Sequence, residues 1–281
     1  MPIDVNRVVA NPFGRTAYLL ARPFVTLLRR TANPGIPTTR RVAKVRCGDR
    51  RLSIRYRRWS EADALAIQQC FVQRQYDMPT GVHGANIDRL YQDIVASGRQ
   101  PLIVDCGANI GTSVAWFSAR YPESHIVAIE PSPDNVVILR ENAVGLDVDI
   151  REAGIGPHDG HAFLKPCGSD MGYRTTDREE GIAIQMLSLA TILAGKPSSR
   201  YTPFLLKVDI EGAEESLFSG DLTACSQFPL IILEPHDWMF PGKLSSLPFF
   251  KFHAEARREF CMNHENVASI ALLTHLNSIR T

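Results

Sequence analysis

The sequence predicts an α/β fold built on a mostly parallel sheet, with helices on both faces and a C-terminal antiparallel hairpin. Three observations predict it. From residue 101, short and almost unbroken apolar runs alternate with helix-length stretches, the pattern of strands covered on both faces. Polar residues gather where those runs end, as at Asp105, Glu130 and Asp209. The tail "ARREFCMNHENVASIALL" holds two strand-like runs around "NHEN", a hairpin turn.

Taken in order, residues 1–45 read as a basic arm. A short helix is expected near 15–30, before "TANPGIPTTRR", where Pro, Gly and Thr break the periodicity. Residues 46–100 read as an entry segment. "RLSIRYRRWS" alternates Leu52, Ile54 and Tyr56 with polar residues, a strand signature. "EADALAIQQCFVQRQY" sets Leu65, Ile67, Cys70 and Phe71 on one helical face, behind Ser60 as a cap.

Residues 101–281 form the main domain. "PLIVDCG" is a strand, "GTSVAWFSARY" a helix, "SHIVAIEP" a strand and "SPDNVVILRENAV" a helix. "VDIREAGIG" is expected to make one third strand. Phe163 to Lys165 and Ile182 to Met186 are expected to pair antiparallel around an exposed loop, "CGSDMGYRTTDREEG". "FLLKVDIEG", "AEESLFSG" and "FPLIILEPH" then supply strand, helix and strand. Right-handed crossovers align the C-terminal ends of these strands along one edge, where α/β ligands bind.

Composition bounds the function. The chain has 281 residues, 44% of them hydrophobic, and a formal net charge of +1. Residues 1–58 carry fourteen Lys or Arg against only Asp4 and Asp49, so the remainder is acidic. A basic arm beside an acidic body suits either a solvated segment folded back on the body or contact with an anionic surface. Peripheral membrane contact through the arm is one expectation; a nucleic-acid partner is not expected. "AYLLARPFVTLL" is too short to span a bilayer and is interrupted by Arg22 and Pro23. The six cysteines show no metal-binding spacing, which suits free thiols in a reducing cytoplasm.

The loop "VDCGANIG", Val104 to Gly111, lacks both the lysine of a P-loop and the third glycine of a dinucleotide turn. Gly107 follows the strand where the backbone must turn beneath a ligand, and Gly111 is expected to let the helix approach the strand. Asp105 is placed to accept hydrogen bonds from a ligand ammonium group, and the amides at the helix start to serve a ligand carboxylate. Asn109 either orients the ligand or stabilises the turn. Glu130, ending the next strand, suits ribose hydroxyls. An amino-acid tail joined to a nucleoside fits this set; a diphosphate does not want the acid. The cofactor expected is therefore S-adenosyl-L-methionine.

"VDCGANIGTS", "IVAIEPSPDNVVILRENA", "LLKVDIEGAEESLF" and "IILEPH" together resemble the FkbM-type S-adenosylmethionine-dependent methyltransferases over residues 100–240. "QYDMP" is compatible with that family's entry region and "HENVASI" is similar to its closing strand; residues 1–45 lie outside the match. The resemblance implies a Rossmann-like class I methyltransferase fold and O-methylation of a sugar, glycan or related natural product. It assigns Asp105, Gly107, Asn109, Gly111 and Glu130 to the cofactor site, with Ala108, Thr112 and Pro131 beside them.

An acceptor hydroxyl must lose its proton, which calls for a base or a metal. Asp209 and Glu211 lie two apart, on one side of an extended chain, and are candidate bases together with His236. Divalent-metal ligation aided by Glu234 or His236, and structural capping of the next helix, remain alternatives for the pair; no metal is assigned. Glu214 and Glu215 are expected to favour the dipole of their helix. Trp238 and Tyr173 are able to stack on a sugar ring or simply to pack. The rival functions are a nicotinamide-dependent oxidoreductase and a non-catalytic binding protein.

Overall fold

A computed structural model describes residues 36–78, 81–166, 173–176 and 181–272. Residues 1–35, with the expected 15–30 helix, lie outside the described residues, as does Cys167 with much of the 167–181 loop. The chain divides into two units, Met1–Pro37 and Thr38–Thr281.

The second unit opens with an antiparallel hairpin, β1 (Val42–Cys47) and β2 (Arg50–Arg55). Helix α1 (Glu61–Ile67) follows, and the Ser60 hydroxyl accepts from the Asp63 amide as its cap. A π-helical turn over Gln68–Val72 leads on to α2 (Val82–Ala96).

The alternation then runs β3 (Gln100–Cys106), α3 (Thr112–Arg120), β4 (His125–Ile129), α4 (Pro133–Asn142) and β5 (Val148–Arg151). After a second sheet come α5 (Leu189–Ala194), β10 (Tyr201–Val208), α6 (Glu214–Phe218), α7 (Thr223–Ser226), β11 (Leu230–Leu233), α8 (Leu247–Glu255) and the hairpin β12 (Glu259–Asn263) and β13 (Asn266–Ile270). These strands make one sheet in the order β12-β13-β11-β10-β3-β4-β5. Every pair from β11 to β5 is parallel, whereas β13 runs antiparallel to both neighbours. The expected parallel sheet and closing hairpin are both present.

The chain builds outward from β3 through β4 to β5, then crosses back to place β10 on the other side of β3. The strand order therefore reverses between β3 and β10, and α/β ligands bind beyond the carboxyl ends at such a point. Alternation along the strands turns Leu102, Val104, Cys106, Leu206, Val208, Ile231 and Leu233 into one buried cluster with Leu217, Phe218, Phe249 and Phe252 of the covering helices. Elsewhere the rings of Tyr91 of α2, Tyr121 and Phe204 meet tilted or edge-to-face at centroid distances of 5.0 to 5.7 Å.

"VDIREAGIG" is not one strand. β5 stops at Arg151, and Gly154–Gly156 forms β6 in a separate four-stranded sheet, order β6-β9-β7-β8, with β7 (Gly160–Pro166), β8 (Tyr173–Thr176) and β9 (Ile182–Ser188). The Met186 thioether fills the space a side chain at Gly154 would need, so the second sheet packs where the first ends. The expected antiparallel pairing is found between β7 and β9, with Leu164 opposite Ile182. The 167–181 loop contributes strand β8 to the edge of this sheet.

Gly111 adopts φ 86°, and a Cβ there would press on Leu139 of α4. The glycine thus permits close approach of the two helices α3 and α4, not of helix and strand as expected. Gly111→Ala combines backbone strain with that overlap and is expected to cost about 1–3 kcal/mol, read as a lowered urea midpoint with an unchanged m-value.

Candidate active site

A pocket opens at the reversal point. Gly107, Asn109, Glu130, Pro131 and Asn135 line one side, Ala153 to Ile155 another, and Asp209, Ile210, Glu211 and Ala213 the third. Three carboxylates line it and, among the described residues, no Lys, Arg or His does so.

Glu130 is 5% exposed. Its Oε2 accepts from the Asn109 amide at 2.8 Å, and its Oε1 accepts from the Ser132 amide at 3.0 Å and Asn135 Nδ2 at 3.1 Å. Arg57 orients Asn135 by donating to its Oδ1 at 2.8 Å, and Arg57 is itself forked onto buried Asp63. The entry segment therefore fixes a carboxylate more than seventy residues away. Burial pushes the Glu130 carboxyl up, against the pull of its three hydrogen bonds.

Asp105 stands at the end of β3 as expected, but it does not line the pocket. It is 0% exposed, and its register partner across the parallel pair is Lys207. The Lys207 Nζ lies 3.1 Å from Asp105 Oδ1, donates to the Gly107 carbonyl at 2.9 Å and reaches Asp209 Oδ2 at 3.4 Å. Ser113 donates to Asp105 Oδ2 at 2.5 Å. Burial would lower the lysine pKa, but Asp105, Tyr76 and Asp209 outweigh it and hold the ammonium well above its ordinary range. Asp105 is thus an internal counter-ion rather than a ligand for an ammonium group.

The loop amides are committed too. Gly107 and Ala108 donate to the Ile129 carbonyl, Asn109 to Glu130, and Gly111 to Ala108. A Cβ on Gly107 would overlap the Asp209 carbonyl oxygen, so the loop that follows β10 itself requires a glycine here. Ala108, Gly111 and Thr112 are buried behind the pocket wall. Of the expected cofactor residues, Gly107, Asn109, Glu130 and Pro131 line the pocket.

Asp209 and Glu211 both line it, though not as one extended chain. β10 ends at Val208, and Glu211 has φ 52° before Gly212 at φ 98°. The tight turn, not strand alternation, brings the two carboxylates to one cavity. The buried Glu211 Oε2 has no hydrogen-bond partner. Burial, then repulsion from Asp209, pushes the Glu211 carboxyl up to about 8. Burial and Asp209 likewise raise Glu234 to about 8.

His236 is 3% exposed and stands behind Asp209, with Nε2 3.7 Å from Asp209 Oδ1. Its Nδ1 lies 2.8 Å from Glu214 Oε1. Burial would lower its pKa, but the hydrogen bond to Glu214 and the charges of Asp209 and Glu214 lift it to about 9. His236 is therefore a cation near neutral pH, which corrects its place among the candidate bases. Glu214, expected only to favour a helix dipole, is 0% exposed and holds this imidazole. Trp238 is 64% exposed on the turn after His236.

The sheet order, with its antiparallel strand β13 and a pocket at the β3/β10 reversal, is that of the Rossmann-like class I methyltransferase fold. The family model described as the methyltransferase FkbM domain matches residues 105–266, more than half of the chain, and the chain belongs to that family. Methyltransferase sdnD of Sordaria araneosa is 26% identical over 163 residues, covering 46% of this chain and 63% of that protein. Hexuronic acid methyltransferase AglP of Haloferax volcanii is 26% identical over 147 residues, covering 51% and 59%. The chain thus spans less than two thirds of the length of these curated relatives. Among solved structures, the O-methyltransferase TomG of Streptomyces achromogenes in complex with SAM aligns at TM-score 0.37 and 13% identity, over 75% of this chain and 90% of that one. The O-methyltransferase of Bacillus cereus aligns at TM-score 0.36 and 13% identity, over 73% and 88%. Likeness at this level says nothing about chemistry.

S-adenosyl-L-methionine is the cofactor expected of a chain in this family, and the pocket fits it. Its sulfonium and ammonium are cations, suited to a cavity lined by Glu130 and Asp209, whereas a diphosphate would meet those carboxylates. Ile129, Pro131 and Ile155 offer apolar wall for a flat base.

Removing one partner of a buried ion pair strands the other charge, so Lys207→Met is expected to cost about 3–5 kcal/mol. Urea unfolding checks this, and the double change with Asp105→Leu is expected to recover most of the loss.

Proposed function

We propose that this protein is an S-adenosyl-L-methionine-dependent O-methyltransferase acting on a hydroxyl of a sugar, glycan or related natural product. One observation carries the reading: Glu211, which lines the pocket beside Glu130, has a buried carboxylate oxygen without a hydrogen-bond partner and a carboxyl raised to about 8. A base working near neutral pH needs that tuning. The relative described as a hexuronic acid methyltransferase supports a sugar-like acceptor.

When bound, the cofactor supplies a methyl group on a sulfonium, ready for in-line displacement. Glu130 accepts from its ribose hydroxyls. Glu211 takes the acceptor O–H proton as the oxygen approaches. Asp209, held by Lys207 on one oxygen and facing His236 with the other, fixes the acceptor, because alignment of the reacting atoms supplies much of the rate. Lys207 and His236 flank Asp209, and repulsion from Asp209 helps to raise the Glu211 carboxyl. Trp238 offers an exposed ring for a sugar face. The basic arm is proposed as a contact for an anionic surface, which flotation with anionic vesicles, with and without residues 1–45, tests.

Glu130→Ala is expected to weaken S-adenosyl-L-methionine by about 1.5–3 kcal/mol, roughly 10- to 100-fold, in calorimetry on protein whose melting curve is unchanged. If nicotinamide dinucleotide binds tighter than S-adenosyl-L-methionine, the proposal fails. The base is active when deprotonated, so kcat/KM is expected to climb with pH and level off above about 8. Glu211→Gln is expected to remove that limb and most of the turnover while sparing cofactor affinity; retention of the limb moves the base role to Glu234.

A further inference from the structure

β10 and β11 are parallel neighbours with Val208 opposite Leu233, so Asp209, Glu234 and His236 leave the same sheet edge side by side. His236 Nε2 is 3.7 Å from Asp209 Oδ1 and 3.7 Å from Glu234 Oε1. One ligand atom from each of the three residues lies within 4.8 Å of the others. These separations are too long for hydrogen bonds, and no described residue supplies one to Nε2. The imidazole is buried, however, and aims that nitrogen between two carboxylate oxygens.

The far side of two of these groups is already held. Lys207 sits on Asp209 Oδ2, leaving Oδ1 turned to the imidazole. Glu214 holds Nδ1, leaving Nε2 free. A histidine ring clamped at one nitrogen by a carboxylate, with the other facing acidic oxygens, is the support that orients metal ligands. An ion with bonds of about 2.0–2.2 Å sets its ligands roughly 3–3.5 Å apart, a contraction of several tenths of an ångström for each carboxylate-to-imidazole separation.

We propose that Asp209 Oδ1, Glu234 Oε1 and His236 Nε2 bind one divalent cation, of the manganese or zinc type. The imidazole nitrogen disfavours magnesium and calcium, and the two carboxylates supply the charge a dication needs. Glu211, two residues from Asp209, is not a ligand. Binding displaces the Nε2 proton to solvent. Asp209 also lines the pocket, so an open coordination position on that side takes the acceptor oxygen. The ion then polarises the O–H bond, whose proton goes to Glu211 while the electron pair stays on oxygen. This assignment rests on the proposed methyl transfer.

The test uses the full chain after chelator treatment and dialysis, titrated with Mn2+ alone and followed by calorimetry and by loss of the free-ion paramagnetic signal. One Mn2+ per chain is expected, displaced by Zn2+ and not by equimolar Mg2+. Glu234→Gln and His236→Gln are expected to weaken it by about tenfold or more, Glu214→Gln by about 10- to 100-fold, and Glu211→Gln not at all. Each variant is first shown to bind S-adenosyl-L-methionine, so that a misfolded protein is not read as a lost ligand. No binding at millimolar Mn2+ or Zn2+, or binding that survives Glu234→Gln and His236→Gln, overturns the inference. Methyl transfer at full rate in chelator overturns it while leaving the proposed function standing; failure to bind S-adenosyl-L-methionine defeats the proposed function instead.

Discussion

The site hangs on one buried cation. Lys207 is 2% exposed inside an otherwise apolar strand, where an ammonium without partners would cost several kcal/mol. It is tolerated because the β3/β10 register sets Asp105 beside it and the strand ends present the Gly107 carbonyl and Asp209. The same contacts lock the two loops that line the pocket to each other. The strand carrying the first glycine loop and the strand carrying Asp209 cannot slide or splay without exposing this charge to apolar surroundings. What looks like a cofactor-binding acid in the sequence is therefore the keystone beneath the pocket floor.

Much of the architecture is legible in the sequence because it is written locally. Apolar runs mark the strands, Ser60 caps its helix, and "NHEN" turns the final hairpin. What could not be read is what depends on register. Asp105 and Lys207 are about a hundred residues apart, and no local pattern says that they face each other. A signal did exist: the lysine in "FLLKV" is a lone charge in a run built for burial, and such a lysine demands a counter-ion. Glu214 offered no such cue, since an acid in a helix's first turn is ordinary. Its role appears only when β11 delivers His236 against it. The break in "VDIREAGIG" hides for a similar reason, because Gly154 is paired with Met186 of β9, far along the chain, whose side chain fills the space beside it.

Charge distribution explains why one pocket can hold a cation and also carry a base. Glu130, Asp209, Glu211, Glu214 and Glu234 crowd one edge, with Lys207 and His236 as the buried cations among them. Each cation is already engaged, so the surplus negative charge falls on the carboxylates that face the cavity. Like charges at short range cannot all ionise freely, and Glu211 and Glu234 are the groups that yield. The surplus that attracts a sulfonium is thus the one that lifts Glu211 toward neutrality. Binding a positive ligand would in turn draw the Glu211 carboxyl back down, coupling occupancy of the pocket to the proton that must move.

Backbone strain shows where this arrangement is enforced. Asn109 and Glu211 hold φ values of 50° and 52°, a region that side chains with a Cβ adopt reluctantly. They sit on the two loops that Lys207 clamps, and both line the pocket. Such strain, of order 1–3 kcal/mol at each residue, persists only where the surroundings over-determine it. The left-handed turn at Asn109 accompanies an amide donated to Glu130, and that at Glu211 accompanies a carboxylate oxygen with no partner of its own. Glycine would relieve either turn, but at residue 211 it would remove the carboxylate as well. The fold therefore holds Glu211 in a costly conformation with its acid unsatisfied, and the stability for that comes from the buried ion cluster one turn of chain away.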